Sequence, residues 1–385
     1  MGDLDVIRSA QSMAGDARVA VREFYEGVRQ DNMALVMFFC SSHFDLDAVA
    51  DEMNRCFAGV PVVGCTTAGE FGPAGYCDRS LVGVSFSGEG FRGTVGLLEG
   101  LQQFDLVRGQ SFVADLLHRH EATVLKGGEG NSFALMLVDG LSVREEAVVR
   151  TFQNVLGNIP LIGGSAGDDL RFQKTWVFAH GAFHTDCAAL VLVNTVYSFK
   201  IFKTQHFVSD NERLVVTEAD PVRRIVKEIN GLPAAEEYAR MVGIDSDDLG
   251  AFSFAAAPVV VVIDGTDYVR SIQKANPDGS LTFFCAIDEG LVFRVAHGED
   301  LIDNLKTTFE AIEKDLGPPL AVLACDCILR HLEIAQCGQG RQVGDLFQDW
   351  KTVGFSTYGE QYLGVHVNQT LTGIAIGATK RSPDA

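Results

Sequence analysis

Gly354-Phe355-Ser356-Thr357-Tyr358-Gly359-Glu360 is the stretch that decides the fold, because its pattern occurs twice more in the chain. Residues 64–70 read Gly-Cys-Thr-Thr-Ala-Gly-Glu, and residues 163–169 read Gly-Gly-Ser-Ala-Gly-Asp-Asp. An apolar or β-branched dyad leads into each copy: Val62-Val63, Leu161-Ile162 and Thr352-Val353. An amphipathic segment precedes each dyad, and ahead of that lies a short apolar run beginning at Ala34, Phe133 or Leu320. From the start of the run to the first glycine is 30, 30 and 34 residues. The spacing predicts a unit of strand, helix, strand and glycine-flanked turn, closed by an outgoing hairpin at Ser80 to Phe86, Ala188 to Val193 and Thr370 to Ile376.

The turn has two readings. Glycines at both ends permit positive φ or a close backbone approach, while the hydroxyls and the acid can bond to loop N–H groups. Such a loop at a strand end can cradle a ligand, as open α/β sheets do. It can equally be a structural corner repeated by duplication, and one copy can serve differently from another.

A length of 385 residues allows two or three domains. Hydrophobic residues make up 47% of the chain, enough for a sizeable core. The formal charge of −20 opposes contact with nucleic acid or anionic membrane surfaces. Apolar runs stay short of the roughly 18 residues of a membrane span, so membrane insertion is not expected. Met1 to Asp5 carries acids where a signal peptide would carry bases. Nine cysteines, an odd number mostly inside apolar runs, fit reduced thiols in a cytoplasm.

Periodicity predicts helices at Asp16 to Asn32, Asp45 to Phe57, Gln110 to His120 and Val143 to Leu156. Near Asn194 to Phe199 the order of motifs changes, which places a domain boundary there. Beyond it, Asp220-Pro221 is an N-cap and N1 pair opening a helix to Ile229. A further helix follows at Leu232 to Val242, then an antiparallel meander from Val259 to Val295, a helix at Asp300 to Lys314, and the third unit. Lys380 to Ala385 are expected to be a frayed tail. The alternation gives an α/β (α+β) class, with layered mixed sheets covered by helices. No Gly-x-Gly-x-x-Gly lies between a strand and a helix, and no Walker-type loop is present.

No His-Glu-x-x-His helix occurs, and no nucleophile with an adjacent base can be read from the chain, so an enzyme is not expected. Cys325 and Cys327 form the one close thiol pair and are the candidates for zinc. One residue apart on a strand, they point to opposite faces, which favours core thiols. His206 lies between apolar and strongly polar residues. His366 lies just beyond the third turn copy, where His366, Asn368 and Thr370 would share one polar strand face. Imidazole is the usual axial ligand of haem, and 26 phenylalanines against two tryptophans would suit a porphyrin pocket.

Val62 to Glu70, Ile162 to Asp169, Asn230-Gly231-Leu232-Pro233-Ala234 and Gly354 to Glu360 resemble the signatures of FIST proteins, a two-part sensory module. The resemblance covers roughly residues 30 to 378 and implies a FIST N-terminal domain at 30–198 and a FIST C-terminal domain at 199–380. Lys203-Thr204-Gln205-His206-Phe207, Tyr358 to Tyr362 and His366 to Thr370 are similar to the stand-alone nitric-oxide-sensing haem proteins of that family, called NosP. That similarity implies haem b held by a histidine, His206 before His366, with Thr357, Glu360 and Asn368 around the cofactor. It further implies nitric oxide as the signal, and a separate histidine kinase or a diguanylate cyclase or phosphodiesterase as the partner; homo-oligomerisation is left open. The alternative is a FIST module binding an amino acid or other small metabolite at the turns, through Thr67, Glu70, Ser356, Thr357 and Glu360.

Overall fold

A computed structural model describes residues 6–263 and 266–380. The acidic N-terminal stretch lies outside these residues, as does the expected tail after Lys380, which itself ends the strand Leu371–Lys380.

The first unit runs edge strand Ile7–Ser12, helix Ala17–Val28, core strand Met33–Ser41, helix Leu46–Cys56, core strand Val62–Thr67, hairpin Glu70–Gly72 with Gly75–Cys77, and return strand Leu81–Ser87. The second repeats it with edge strand Phe91–Glu99, helix Leu106–Glu121, core strands Ser132–Val138 and Leu161–Ser165 around helix Glu145–Leu156, hairpin Val177–Ala179 with Ala182–His184, and return strand Cys187–Thr195. In the third, edge strand Tyr197–Thr204 is followed by an insertion. Helix Leu301–Leu316 then leads to core strands Pro319–Cys327 and Thr352–Thr357, with helices Ile328–Gln336 and Gly340–Asp349 between them. The hairpin Glu360–Tyr362 with Val365–Val367 and the return strand Leu371–Lys380 close the unit. The boundary expected at 198/199 falls just inside the third edge strand.

Each unit builds a sheet in the order edge, return, first core, second core, and the core strands are parallel. The hairpins do not join their own sheets. Glu70–Gly72 pairs with the third unit's Thr352–Thr357, Val177–Ala179 with the first unit's Val62–Thr67, and Glu360–Tyr362 with the second unit's Leu161–Ser165. The exchange is cyclic, so every sheet is completed by another unit. The inner faces of the three sheets meet in one core that includes Phe39, Val63, Leu135, Ile162, Leu323 and Phe355. The helices cover the outer faces, each through its own apolar stripe. Asp16, Asp45, Asp105 and Asp300 cap their helices by accepting from the N–H three residues on.

The insertion, from Phe207 to Gly298, forms a nine-stranded antiparallel sheet with its own core. It enters and leaves at one point: Phe207 pairs with Gly298, and Glu299 N–H donates to the His206 carbonyl at 2.7 Å. One expectation fails inside it. Pro221 to Ile229 is not a helix: Asp220 Oδ1 accepts from Arg223 N–H to make a turn, Arg224 adopts φ +56°, and Ile225–Ile229 is a strand. The left-handed residue ends the first turn, and Ile225, Val226 and Ile229 are β-branched residues that gain more from the sheet. The meander is also more branched than a simple up-and-down run, since Val292–Gly298 pairs with three different strands.

Candidate functional site

The repeated glycine opening each turn copy has one cause in all three units. Gly64, Gly163 and Gly354 face the carbonyl oxygens of Phe38, Met136 and Ala324 on the parallel neighbour, and an added Cβ would lie 2.4, 2.0 and 1.8 Å from them. Close approach, not positive φ, fixes these glycines.

Beyond the glycines, two copies form the same closed corner. Glu360 Oε1 accepts from Thr357 Oγ1 at 2.6 Å, and Oε2 accepts from Thr370 Oγ1 at 2.7 Å and Thr370 N–H at 3.2 Å. Glu70 is bonded the same way by Thr67, Ser80 Oγ at 2.8 Å and Ser80 N–H at 2.9 Å. Both carboxyls are fully buried, and burial raises each to about 8. The second copy departs from this pattern. Strand register puts Val177 and Cys187 where the others have Glu and Ser or Thr, and Asp139 accepts instead from Thr175 Oγ1 and the N–H groups of Leu141 and Asp186. Asp168, also in the second copy, accepts from Tyr358 Oη and from the N–H groups of Phe172, Gln173 and Lys174. Thr67, Glu70, Thr357 and Glu360 therefore spend their hydrogen bonds inside the protein, and the corner reading holds for them.

The open space lies just outside. A cavity of about 500 Å³ is lined by residues that follow four parallel strand ends. His43 comes after the first core strand of unit one and Ala68 after its second core strand, Asp169 to Arg171 after the core strand Leu161–Ser165, and Ile328 and His331 after Cys327. His43 Nδ1 lies 2.9 Å from Asp169 Oδ2. His331 Nδ1 lies 3.3 Å from both the Ala68 carbonyl and Ser356 Oγ. That carbonyl can only accept, so Nδ1 carries hydrogen and Nε2 faces outward, 3.9 Å from Asp78 Oδ1. Arg79, on the exposed rim, has no hydrogen-bond or ion-pair partner among the described residues. Arg79, Asp169 and Leu170 all hold φ near +56 to +60°, a concentration of uncommon backbone typical of ligand sites. His43, Arg79, Arg171 and His331 were not singled out in the sequence; only their places after strand ends could have pointed to them.

The two histidines read as iron ligands lie elsewhere. His206 is buried where the insertion leaves the third unit. Arg330 Nη1 donates to its Nδ1 at 3.0 Å, so Nε2–H donates to Glu333 Oε1 at 2.7 Å, and both ring nitrogens are engaged. Arg330, wholly buried, also donates from Nε to Asp326 Oδ1 at 2.7 Å. Tyr76 Oη reaches Asp326 at 3.3 Å and Ser356 Oγ at 2.5 Å. The chain of contacts thus runs from His206 to the third turn copy.

His366, Asn368 and Thr370 are all buried, but the strand ends at Val367 and Gln369 takes φ +48°, so the alternation does not carry on to Thr370, whose Oγ1 bonds Glu360. His366 Nδ1 lies 3.1 Å from Gln361 Oε1. Burial holds the ring neutral, lowering its pKa to about 4, so Nδ1–H donates and Nε2 keeps a lone pair. Nε2 and both amide atoms of Asn368 are buried without a hydrogen-bond partner. The ring lies flat against the backbone, since a Cβ on Gly359 would meet Nε2 at 2.6 Å. As arranged here, neither imidazole offers an open nitrogen to a haem iron. Thr357 and Glu360 lie in their closed corner, and of the residues expected around a cofactor only Asn368 accompanies His366.

Cys325 and Cys327 sit on one strand and enter different apolar clusters, as their spacing requires, and burial pushes both thiols up. No group of three or more His, Cys, Asp or Glu among the described residues is placed to hold a metal. No helix among them is long and apolar enough to cross a membrane.

A comparison with curated proteins returns no significant match. Family models match twice: the FIST N domain over residues 34–232 and the FIST C domain over residues 234–363. With its three turn-bearing units and inserted sheet spanned by these two matches, the chain belongs to the FIST family of sensory signal-transduction modules.

Proposed function

We propose that this FIST module senses a small carboxylate-bearing metabolite, such as an amino acid, in the strand-end cavity. The observation that supports this is the convergence of four core-strand ends, two from the first unit and one each from the second and third, on one cavity whose rim carries Arg79, unpaired among the described residues. Ligands of α/β sheets bind outside the carboxyl ends of strands, and about 500 Å³ is a small-molecule volume. Arg79 and Arg171 supply charge for a carboxylate, His331 Nε2 accepts from a hydroxyl or ammonium, and Leu170, Ile328 and Leu332 take the apolar part. Titration calorimetry with the twenty amino acids and a set of short organic acids tests it. At least one should bind, and Arg79→Ala and His331→Ala should each weaken it tenfold or more with the melting temperature kept. Absence of binding by every compound, or undiminished binding in both variants, rejects the reading.

A second reading rests on His366, whose bare Nε2 and anchored Nδ1–H are the electronic state of an iron ligand. In it the chain is a haem b sensor of nitric oxide acting on a separate histidine kinase or a diguanylate cyclase or phosphodiesterase. Bound haem would supply an iron site for the gas, and the hairpin and insertion would first have to part from His366 or His206. Haemin added to the purified chain decides this reading: a Soret band lost in His366→Ala or His206→Ala supports it, and absence of a band removes it.

A further inference from the structure

A cleft of about 540 Å³ lies on the other side of the molecule, between the first unit's edge strand and the third unit. Its walls are apolar where Ile7, Leu320, Phe347 and Val353 contribute, and among the described residues its charged lining consists of Arg8 and Lys351. That is unusual on a chain whose formal charge is −20. Arg8 Nη1 donates to the Arg29 carbonyl at 2.7 Å, so its guanidinium is held in place. Lys351 has no ion-pair partner among the described residues. Thr352 also lines the cleft, and its Oγ1 is buried with no hydrogen-bond partner.

The other units act as internal controls. Strand register aligns Lys351-Thr352 with Pro61-Val62 and Pro160-Leu161, since Val36, Ala134 and Val322 each accept the same placement against Val62, Leu161 and Thr352. The fold is therefore satisfied by proline and an aliphatic residue at these positions. An equivalent cleft, at the junction of the first and second units, contains Pro61 and Val62 and has no Lys or Arg in its lining. The cleft comes from the three-unit architecture, but the cation and the buried hydroxyl belong to one junction alone. A buried hydroxyl without a partner is unfavourable, and a ligand acceptor would relieve it.

We propose that this cleft binds a small amphiphilic organic anion, its carboxylate between Lys351 and Thr352 Oγ1 and its apolar body against Ile7, Leu320 and Phe347. Such a ligand would tie the first strand to the third unit, and the site is separate from the strand-end cavity. Titration calorimetry with octanoate on the full chain tests it, with octanol as the neutral control. Lys351→Asn suits the position, because Lys351 has φ +49° and asparagine tolerates that region. Octanoate should bind, at least tenfold more tightly than octanol. Lys351→Asn should weaken it at least tenfold and Thr352→Val several-fold, with melting temperatures kept, while Arg79→Ala should leave it unchanged. Octanoate that does not bind at millimolar concentration, that binds Lys351→Asn equally, or that is weakened by Arg79→Ala overturns the proposal.

Discussion

At the scale of single residues, the turn copies are governed by what burial does to a carboxyl group. Glu70 and Glu360 titrate at about 8, well above the usual glutamate value, because burial disfavours their charged form. The folded protein therefore keeps protons that the unfolded chain has lost, and stability falls as pH rises from about 4.5 to 8. His366 acts in the opposite sense. It stays neutral down to about pH 4, so between about 4 and 6.5 it makes stability rise with pH. Above 6.5 the histidine no longer contributes, and the two glutamates are joined only up to about pH 7 by Glu145, which burial also raises. Unfolding free energy should drop between pH 6.5 and 8 by about 1.4 kcal/mol per pH unit for each glutamate. Glu360→Gln should remove about half of that slope, as read by urea denaturation at several pH values. An unchanged slope would show that Glu360 is already ionised in the fold. The glycines at 64, 163 and 354 were legible as special in the sequence, but their reason was not, since the carbonyl each must admit belongs to a strand about thirty residues earlier.

At the scale of elements, the hairpins are the joints of the molecule. The Glu360–Val367 hairpin turns at Leu363 and Gly364, with φ +49° and +82°, the two-residue turn that suits strand twist. It pairs with the second unit, and Gly364 packs against Gln153 of that unit's helix. Gly364→Val should strain the turn and crowd Gln153. Amide hydrogen exchange should then speed up at Leu161–Ser165 more than at Thr352–Thr357, even though the substitution lies in the third unit. Faster exchange confined to the third unit would contradict the exchanged pairing. Strands and helices of the units follow their sequence patterns closely, because alternation and helical spacing are local. The partner of a hairpin is not local, and nothing in Glu360-Gln361-Tyr362 states that it will join Leu161–Ser165. The failure at Pro221 to Ile229 is of the same kind: a good helix start was overridden by a left-handed Arg224, whose side chain reaches Glu145 and the Phe284 carbonyl, each at 2.6 Å.

At the scale of the whole molecule, three units close a ring around one core while the insertion keeps a core of its own. Because Phe207 and Gly298 are paired neighbours, removing residues 207–298 and joining the ends with a short Gly/Ser linker should leave the three-unit body folded. Its melting temperature should fall, since Phe284 and Ala255 pack on Ile328 and Tyr358 of the body. Circular dichroism and a dispersed amide NMR spectrum would show this, and a molten spectrum would mean that the body depends on the insertion. The repeat itself, the layered α/β class and the family were all readable from residues 64–70, 163–169 and 354–360, because close packing of parallel strands imposes the same small residues wherever it recurs. Tertiary structure alone decided which turn residues are closed corners and which neighbours open on a cavity. It also engaged both nitrogens of His206 and left Nε2 of His366 bare, since hydrogen-bond partners more than a hundred residues away leave no periodic trace in the chain.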